Sequence, residues 1–413
     1  MALATAACFC FAALPTFAAE PANWPQFRGP SQDNRADEAK LPLNWSEEQN
    51  VAWKTEIPGK GWSSPVVWDD QVWVGSADED GKKFYAVCVD VETGELLKTI
   101  DLFEVGEPAF CHPMNSYASP TPVVEEGRVY VHFGSYGTAA INTQTFDVLW
   151  KRNDLPCDHY RGPGSSPVVF ENLLICTYDG FDLQYVVAFD KKTGETVWKK
   201  DREIDYGNEN GDFKKAFSTP IFVTRNRRVE MVSPTSRATI AYDPRTGEER
   251  WRVTYSGFSA TAQALLDEDG TIYINTGFGK AELHKVDASE IADGMAKVLW
   301  EQKKNVGSKP SQVLVGNRIY NVSDGGVVSC LDAESGEEVW SDRLEGQFSA
   351  SVLYADGRLY LFNHEGQAFV VAAKDEYELL ARNELENGCL ASPAVHGDAL
   401  IVRTTKHLYR IEE

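Results

Sequence analysis

Short apolar runs separated by turn residues are the dominant pattern along this chain. The stretch SSPVVFENLLICTYDGFDLQYVVAFDKKTGETVW (165–198) holds four such runs, and each break carries Gly, Asp, Asn or Lys. Runs of this length, with turn signals every ten residues or so, predict strands joined by tight hairpins. The closing segment DKKTGETVW (190–198) recurs as DVETGELLK from Asp90, DPRTGEERW from Asp243 and DAESGEEVW from Asp332. Aligned on their small-residue openings, eight units begin near Ser64, Thr121, Ser166, Thr219, Ala262, Ser311, Ala350 and Ser392, spaced by about 39 to 57 residues. That period fits four strands per propeller blade.

The prediction is an all-β, eight-bladed β-propeller with four antiparallel strands per blade. Only 287–300 (DASEIADGMAKVLW) hints at a short helix. The eighth unit stops after its third strand, whereas NVAWKTEI (50–57) has a tryptophan but no third strand before it. The N-terminal strand is therefore expected to complete the last blade and seal the ring, removing open sheet edges. Glycine after Thr or Ser permits the turn between third and fourth strands. Trp53, Trp150, Trp198, Trp251, Trp300 and Trp340 are read as flat wedges between blades. Lys98 and Ala381 stand where two units lack the indole, and looser packing is expected there.

Composition narrows the setting. Residues 1–19 carry no charge and end on a small-x-small pattern, which reads as a secretory signal peptide. Lipid anchoring through Cys8 is disfavoured, because the segment before it is very short. The expected organisation is a leader over 1–19, an N-terminal extension over 20–49 and a single propeller over 50–413. No segment is long enough to span a bilayer as a helix, so a periplasmic or secreted monomer is expected. The net charge of −22 would repel phosphate backbones, so nucleic acid is not an expected partner.

The motif AFDKKTGETVW together with SSPVV resembles the pyrroloquinoline-quinone (PQQ) type repeat. That repeat is shared by quinoprotein dehydrogenases and by the B lipoprotein of the outer-membrane assembly machinery. WPQFRGP (24–30) and 41–67 further resemble exported propellers described as PQQ-binding-like. The resemblance implies the propeller fold across 50–413. Quinoprotein dehydrogenases of this type add a disulfide between adjacent cysteines, a calcium held by Glu, Asn and Asp, an Asp base and long insertions. Here no two cysteines are adjacent after the leader, and the units are close to minimal length.

Loops entering the first strands and loops joining second to third strands emerge on one face of a propeller. Three of them, EPAFCHPMNSYASP (107–120), DLPCDHYRGPGSSP (154–167) and YDGFDLQY (178–185), are rich in polar side chains. The candidate ligand-binding residues are His112, Asn115, Tyr117, Asp158, His159, Arg161, Asp179, Asp182 and Gln184, carried by loops on a rigid scaffold. The alternative reading has His112, Asn115 and Arg161 hydrogen-bonding loop backbone at a blade junction, with Cys111 and Cys157 buried or joined in a disulfide. Cys111, His112, Cys157 and His159 are a poor metal set, because adjacent residues rarely ligate one ion. Calcium on Asp179 and Asp182 is weighed equally low. The repeated turn acids bond backbone rather than catalyse, and no nucleophile elbow, P-loop or HExxH is present. No catalytic residue and no cofactor are assigned. The leading expectation is a non-catalytic envelope module that binds a protein or small ligand; the alternative is a PQQ-dependent oxidoreductase using PQQ and calcium in the central channel.

Overall fold

The computed structural model describes residues 23–225 and 227–413. The expected leader, with Cys8, lies outside the described residues. Among the described residues, thirty-two strands form seven sheets, six of four strands and one of eight. The larger sheet consists of two antiparallel meanders, 221–254 and 265–302, that touch through one parallel bridge between Arg252 and Met295. The four-strand antiparallel units run in chain order as 66–104, 123–152, 168–201, 221–254, 265–302, 313–343, 353–384, and 394–411 completed by Val51–Glu56. In the eighth, Val51–Glu56 pairs antiparallel with His407–Ile411, so the first and last of the described strands share a sheet as expected. The expected short helix over 287–300 is instead a hairpin of Leu283–Ala292 and Met295–Gln302 turning at Asp293-Gly294. Gly294 sits at a φ of +77°, and Asp293 is also left-handed, so the turn chemistry overrides the helical composition.

Burial falls from the inner strands of a unit to its fourth strand. Thr196–Asp201, for example, has no fully buried residue, whereas Leu173–Asp179 is buried throughout. Apolar clusters lie between neighbouring units, as where Ile221, Val223 and Trp251 pack on Ile272, Ile274 and Val286. One irregularity recurs in every unit. The register between third and fourth strands slips by one residue immediately before the tryptophan position, as at Ala188/Phe189, where Val197 is left without a partner. A bulge reverses side-chain alternation. The indole therefore faces the next unit while Leu149, Val197, Leu299, Val339 and Leu380 are left exposed.

Around the axis, the small residues that open each unit are linked by hydrogen bonds. The amide of Ser64 donates to Thr121 Oγ1, Thr121 to Ser166 Oγ, and Ser166 to Thr219 Oγ1, each at 2.9 Å. The series resumes from Gln263 to Ser311, Ser351 and Ser392, and closes when Ser392 donates to Ser64 Oγ at 3.0 Å. These residues are thus more than small: their hydroxyls stitch the ring. The break falls at the fifth unit, where Gln263, not Ala262, occupies the equivalent position, has no hydroxyl to accept the next bond, and donates its side-chain Nε2 to Pro220 O instead.

The segment before the first strand lies across the axis. Trp24 exchanges two backbone hydrogen bonds with Val67, and Pro25 O accepts from Val124. Arg28 donates to Gln312 O, Gln32 to Pro220 O and Asn34 to Val352 O. These partners sit farther along the first strands than the hydroxyl ring. The extension therefore closes the channel from the side opposite the loops.

Candidate functional site

Above that closure lies a cavity of about 500 Å³ on the axis, open toward the loop-rich face. Its wall combines the hydroxyl ring with Phe27, Trp62, Phe217, Phe258 and Phe278, and three cations, Arg161, Lys215 and Lys309. Among the described residues Asp212 is the only carboxylate on the wall, and both of its oxygens are engaged. Arg161 grips it with Nε at 3.0 Å and Nη2 at 3.1 Å, and Lys215 Nζ lies 3.0 Å from Oδ1. The Arg161 hydrogen bond, against a smaller burial effect and aided by Lys215, holds the Asp212 carboxyl down at about 2. Burial pulls the Lys215 ammonium below its ordinary value, with Asp212 opposing. The same wall keeps His112 below its ordinary value, through burial and then the charges of Arg161 and Lys215. Its Nδ1 accepts from Met114 N at 3.2 Å, which leaves the imidazole proton on Nε2.

Of the residues expected from sequence, three line this cavity: His112, Asn115 and Arg161. Asn115 also clamps the third unit's entry loop by donating to Arg161 O and Pro163 O. The others are placed elsewhere. His159 is buried, accepts Ser135 N on Nε2 at 3.0 Å, and lies against Tyr178, so it braces the junction of the second and third units. Asp179 is buried in a bidentate pair with Arg202 at 2.7 and 2.9 Å, which removes it from any calcium site. Asp182 accepts from the amides of Asp158 and Leu183, Asp158 from that of Tyr160, and Gln184 donates to Gly180 O. Tyr117 donates to Ala109 O beside a smaller recess that Cys111 and Lys60 also line. The possible Cys111–Cys157 disulfide is not formed. Both thiols are free, Cys111 Sγ facing Arg161 O and Cys157 Sγ facing His159 Nδ1 and Leu183 O.

Lys215, Asp212, Lys309 and the phenylalanines Phe217, Phe258 and Phe278 went unread in the sequence. The signal was available for the first of these, since GDFKKAFSTP (211–220) is also a loop entering a first strand. Lys309 stands in the corresponding entry loop of the sixth unit, two residues before Ser311. Nothing in the linear order shows that side chains from the second, third, fourth and sixth units meet on one axis.

Sequence comparison matches residues 49–181, 182–294 and 284–409 to the family described as outer membrane protein assembly factor BamB. A protein of that name from Shewanella oneidensis is 21% identical over 264 residues, covering 52% of this chain and 66% of its own length, just under two thirds. The fold resembles that of a quinohemoprotein alcohol dehydrogenase from Comamonas testosteroni, with a TM-score of 0.69, 13% identity, and 94% of this chain and 80% of the other covered. It also resembles BamB from Moraxella catarrhalis, with a TM-score of 0.62, 11% identity, and coverage of 88% and 97%. The three repeat matches run through the strands that form the ring, and the chain belongs to the BamB-like family of PQQ-repeat proteins.

Proposed function

We propose that this chain is a monomeric, exported binding module of the cell envelope, an eight-bladed propeller over 50–413 whose axial cavity takes an acidic ligand with a flat apolar body. The blade count is supported by the single bridge that joins the fourth and fifth meanders. One observation carries the ligand reading: Arg161, Lys215 and Lys309 are gathered on one aromatic wall in a chain of net charge −22. A low-dielectric cleft concentrates such a field and attracts anions. Capture of an acidic group presented by another envelope protein belongs to the same reading, and the names of the relatives accord with it.

The alternative, redox chemistry with PQQ and calcium, fits the cavity less well. PQQ is flat and acidic, so the cations and aromatic rings suit it. Calcium needs several free oxygen ligands, whereas the wall's single carboxylate is already held by Arg161 and Lys215.

Titrating the purified chain with a benzene tricarboxylate, and following tryptophan fluorescence, tests the reading. Saturable quenching is expected, with none from the neutral triester. The Lys215→Met/Lys309→Met double variant should weaken it by about tenfold or more, given the usual worth of a charge-assisted contact. Equal response to acid and ester, or an unchanged affinity in the variant, would overturn it. Dye reduction on adding PQQ, calcium and an alcohol would overturn the non-catalytic assignment.

A further inference from the structure

At the loop-facing end of the fifth unit, Glu282 immediately precedes Leu283–Ala292, and His284 is the second residue of that strand. Glu301, on Met295–Gln302, is the cross-strand partner of His284. Alternate residues on a strand share a face, and a direct cross-strand neighbour meets them there. The donor atoms of Glu282, His284 and Glu301 accordingly lie within 4.8 Å of one another. His284 Nε2 is 2.9 Å from Glu282 Oε2; the ring is buried and its Nδ1 has no partner among the described residues, which hold it from the Nε2 side.

A cation already sits in this cluster. Lys303 Nζ lies 2.8 Å from Glu301 Oε2 and 3.4 Å from Glu282 Oε1, bridging carboxylates of both strands. Its side chain is 59% exposed, so it can swing into water at small cost. We propose that Glu282, His284 and Glu301 bind a first-row divalent cation of the zinc type, which displaces Lys303. One imidazole nitrogen and two carboxylate oxygens suit zinc or its neighbours better than calcium or magnesium, which take oxygen. Three protein ligands leave a coordination position open to solvent. Glu282 ends the connection 276–282, which carries Phe278 of the axial cavity wall. Metal binding therefore fastens that wall from outside, independently of what the cavity holds.

The test uses the full chain, stripped with a chelator and titrated with zinc by calorimetry, then with cobalt(II) to record visible bands from mixed nitrogen and oxygen coordination. One site is expected, with a raised melting temperature on zinc addition and no response to calcium. Glu301→Gln should weaken zinc by at least about tenfold. Lys303→Ala, which removes the competing ammonium, should tighten it. Both positions are exposed enough to leave the metal-free melting temperature near that of the parent. Unchanged zinc affinity in Glu301→Gln, weaker binding in Lys303→Ala, or loss of binding on replacing Cys111 and Cys157 by Ser would overturn the assignment.

Discussion

The Trp150 indole donates its Nε1–H to the carbonyl of Lys191 at 3.1 Å, reaching from the fourth strand of one unit to the tight turn of the next. The contact explains why acid, turn and tryptophan recur together. Asp190 accepts the amides of Lys192 and Thr193, shaping the turn. Gly194 then sits at a φ of +76°, where a β-carbon would come within 2.7 Å of the Trp150 ring. Trp53, Trp198, Trp300 and Trp340 make the same bond, to Val91, Pro244, Ala333 and Lys374. Trp251 packs between units too, but bonds Glu230 of its own unit, because the next unit carries the 283–302 hairpin in place of the tight turn.

Gly194→Ala should accordingly cost about 2 kcal/mol or more, combining backbone strain with displacement of the indole. Trp150→Ala should cost about 2–3 kcal/mol through lost packing. Both are read as shifts of the urea midpoint. Because the two residues share one contact, the double variant should cost clearly less than the sum. Full additivity would contradict the docking described.

Replacing His159 and Arg161 separately distinguishes brace from ligand. His159→Ala strips the buried Ser135 amide of its acceptor and should lower stability by about 1–3 kcal/mol. Arg161→Ala removes a partly exposed ion pair while Lys215 stays on Asp212, so the melting temperature should barely move. Tricarboxylate binding should show the opposite order.

The buried pair of Asp179 and Arg202 yields an asymmetric outcome. Arg202→Met leaves a carboxylate without a counter-charge in a dry site and should cost about 3–5 kcal/mol. Arg202→Met combined with Asp179→Leu should recover much of that loss. Thermal melts of the three proteins decide the matter; equal destabilisation in single and double variants would show that the pair matters through shape alone.

Acid should destabilise the second and third units through two histidines. Burial, above all, pushes His132 down to about 3 and His159 to about 4, from an ordinary value near 6.5. Below about 6.5 the unfolded chain takes up these protons and the folded chain does not. Stability is thus intact above that pH and falls with pH until the folded values are passed. His132→Asn should flatten the decline of urea midpoint between about pH 6 and 4. A parallel decline would exclude this source.

Two positions expected to pack loosely are filled by residues from outside the repeat pattern. Lys98 replaces an indole between the first and second units. There Gln71 Nε2 donates to Thr143 O at 2.9 Å, and Trp73 packs on Phe146 at 5.9 Å. Ala381 leaves a gap that Trp45 of the extension covers, stacking near Tyr360 and Phe362, with its amide on Asn383 Oδ1. Each substitute restores a bond or a ring, by a route that local spacing does not encode.

The order of strands, the period and the pairing of Val51–Glu56 with the last strand were legible from sequence alone, because hairpin turns and alternating burial are local properties repeated from unit to unit. The site was legible only in part. Arg161, His112 and Asn115 sit in loops whose composition draws attention, whereas His159 and Asp179 look identical in composition yet are buried braces. Burial depends on what the neighbouring unit places opposite a side chain, and that is a property of the closed ring. The one-residue bulge before each tryptophan, the extension across the axis and the meeting of Arg161 with Asp212 and Lys215 likewise arise only when units pack. Contacts between residues about fifty positions apart follow from the rotation of one sheet against the next, which no local pattern of apolar and polar residues records.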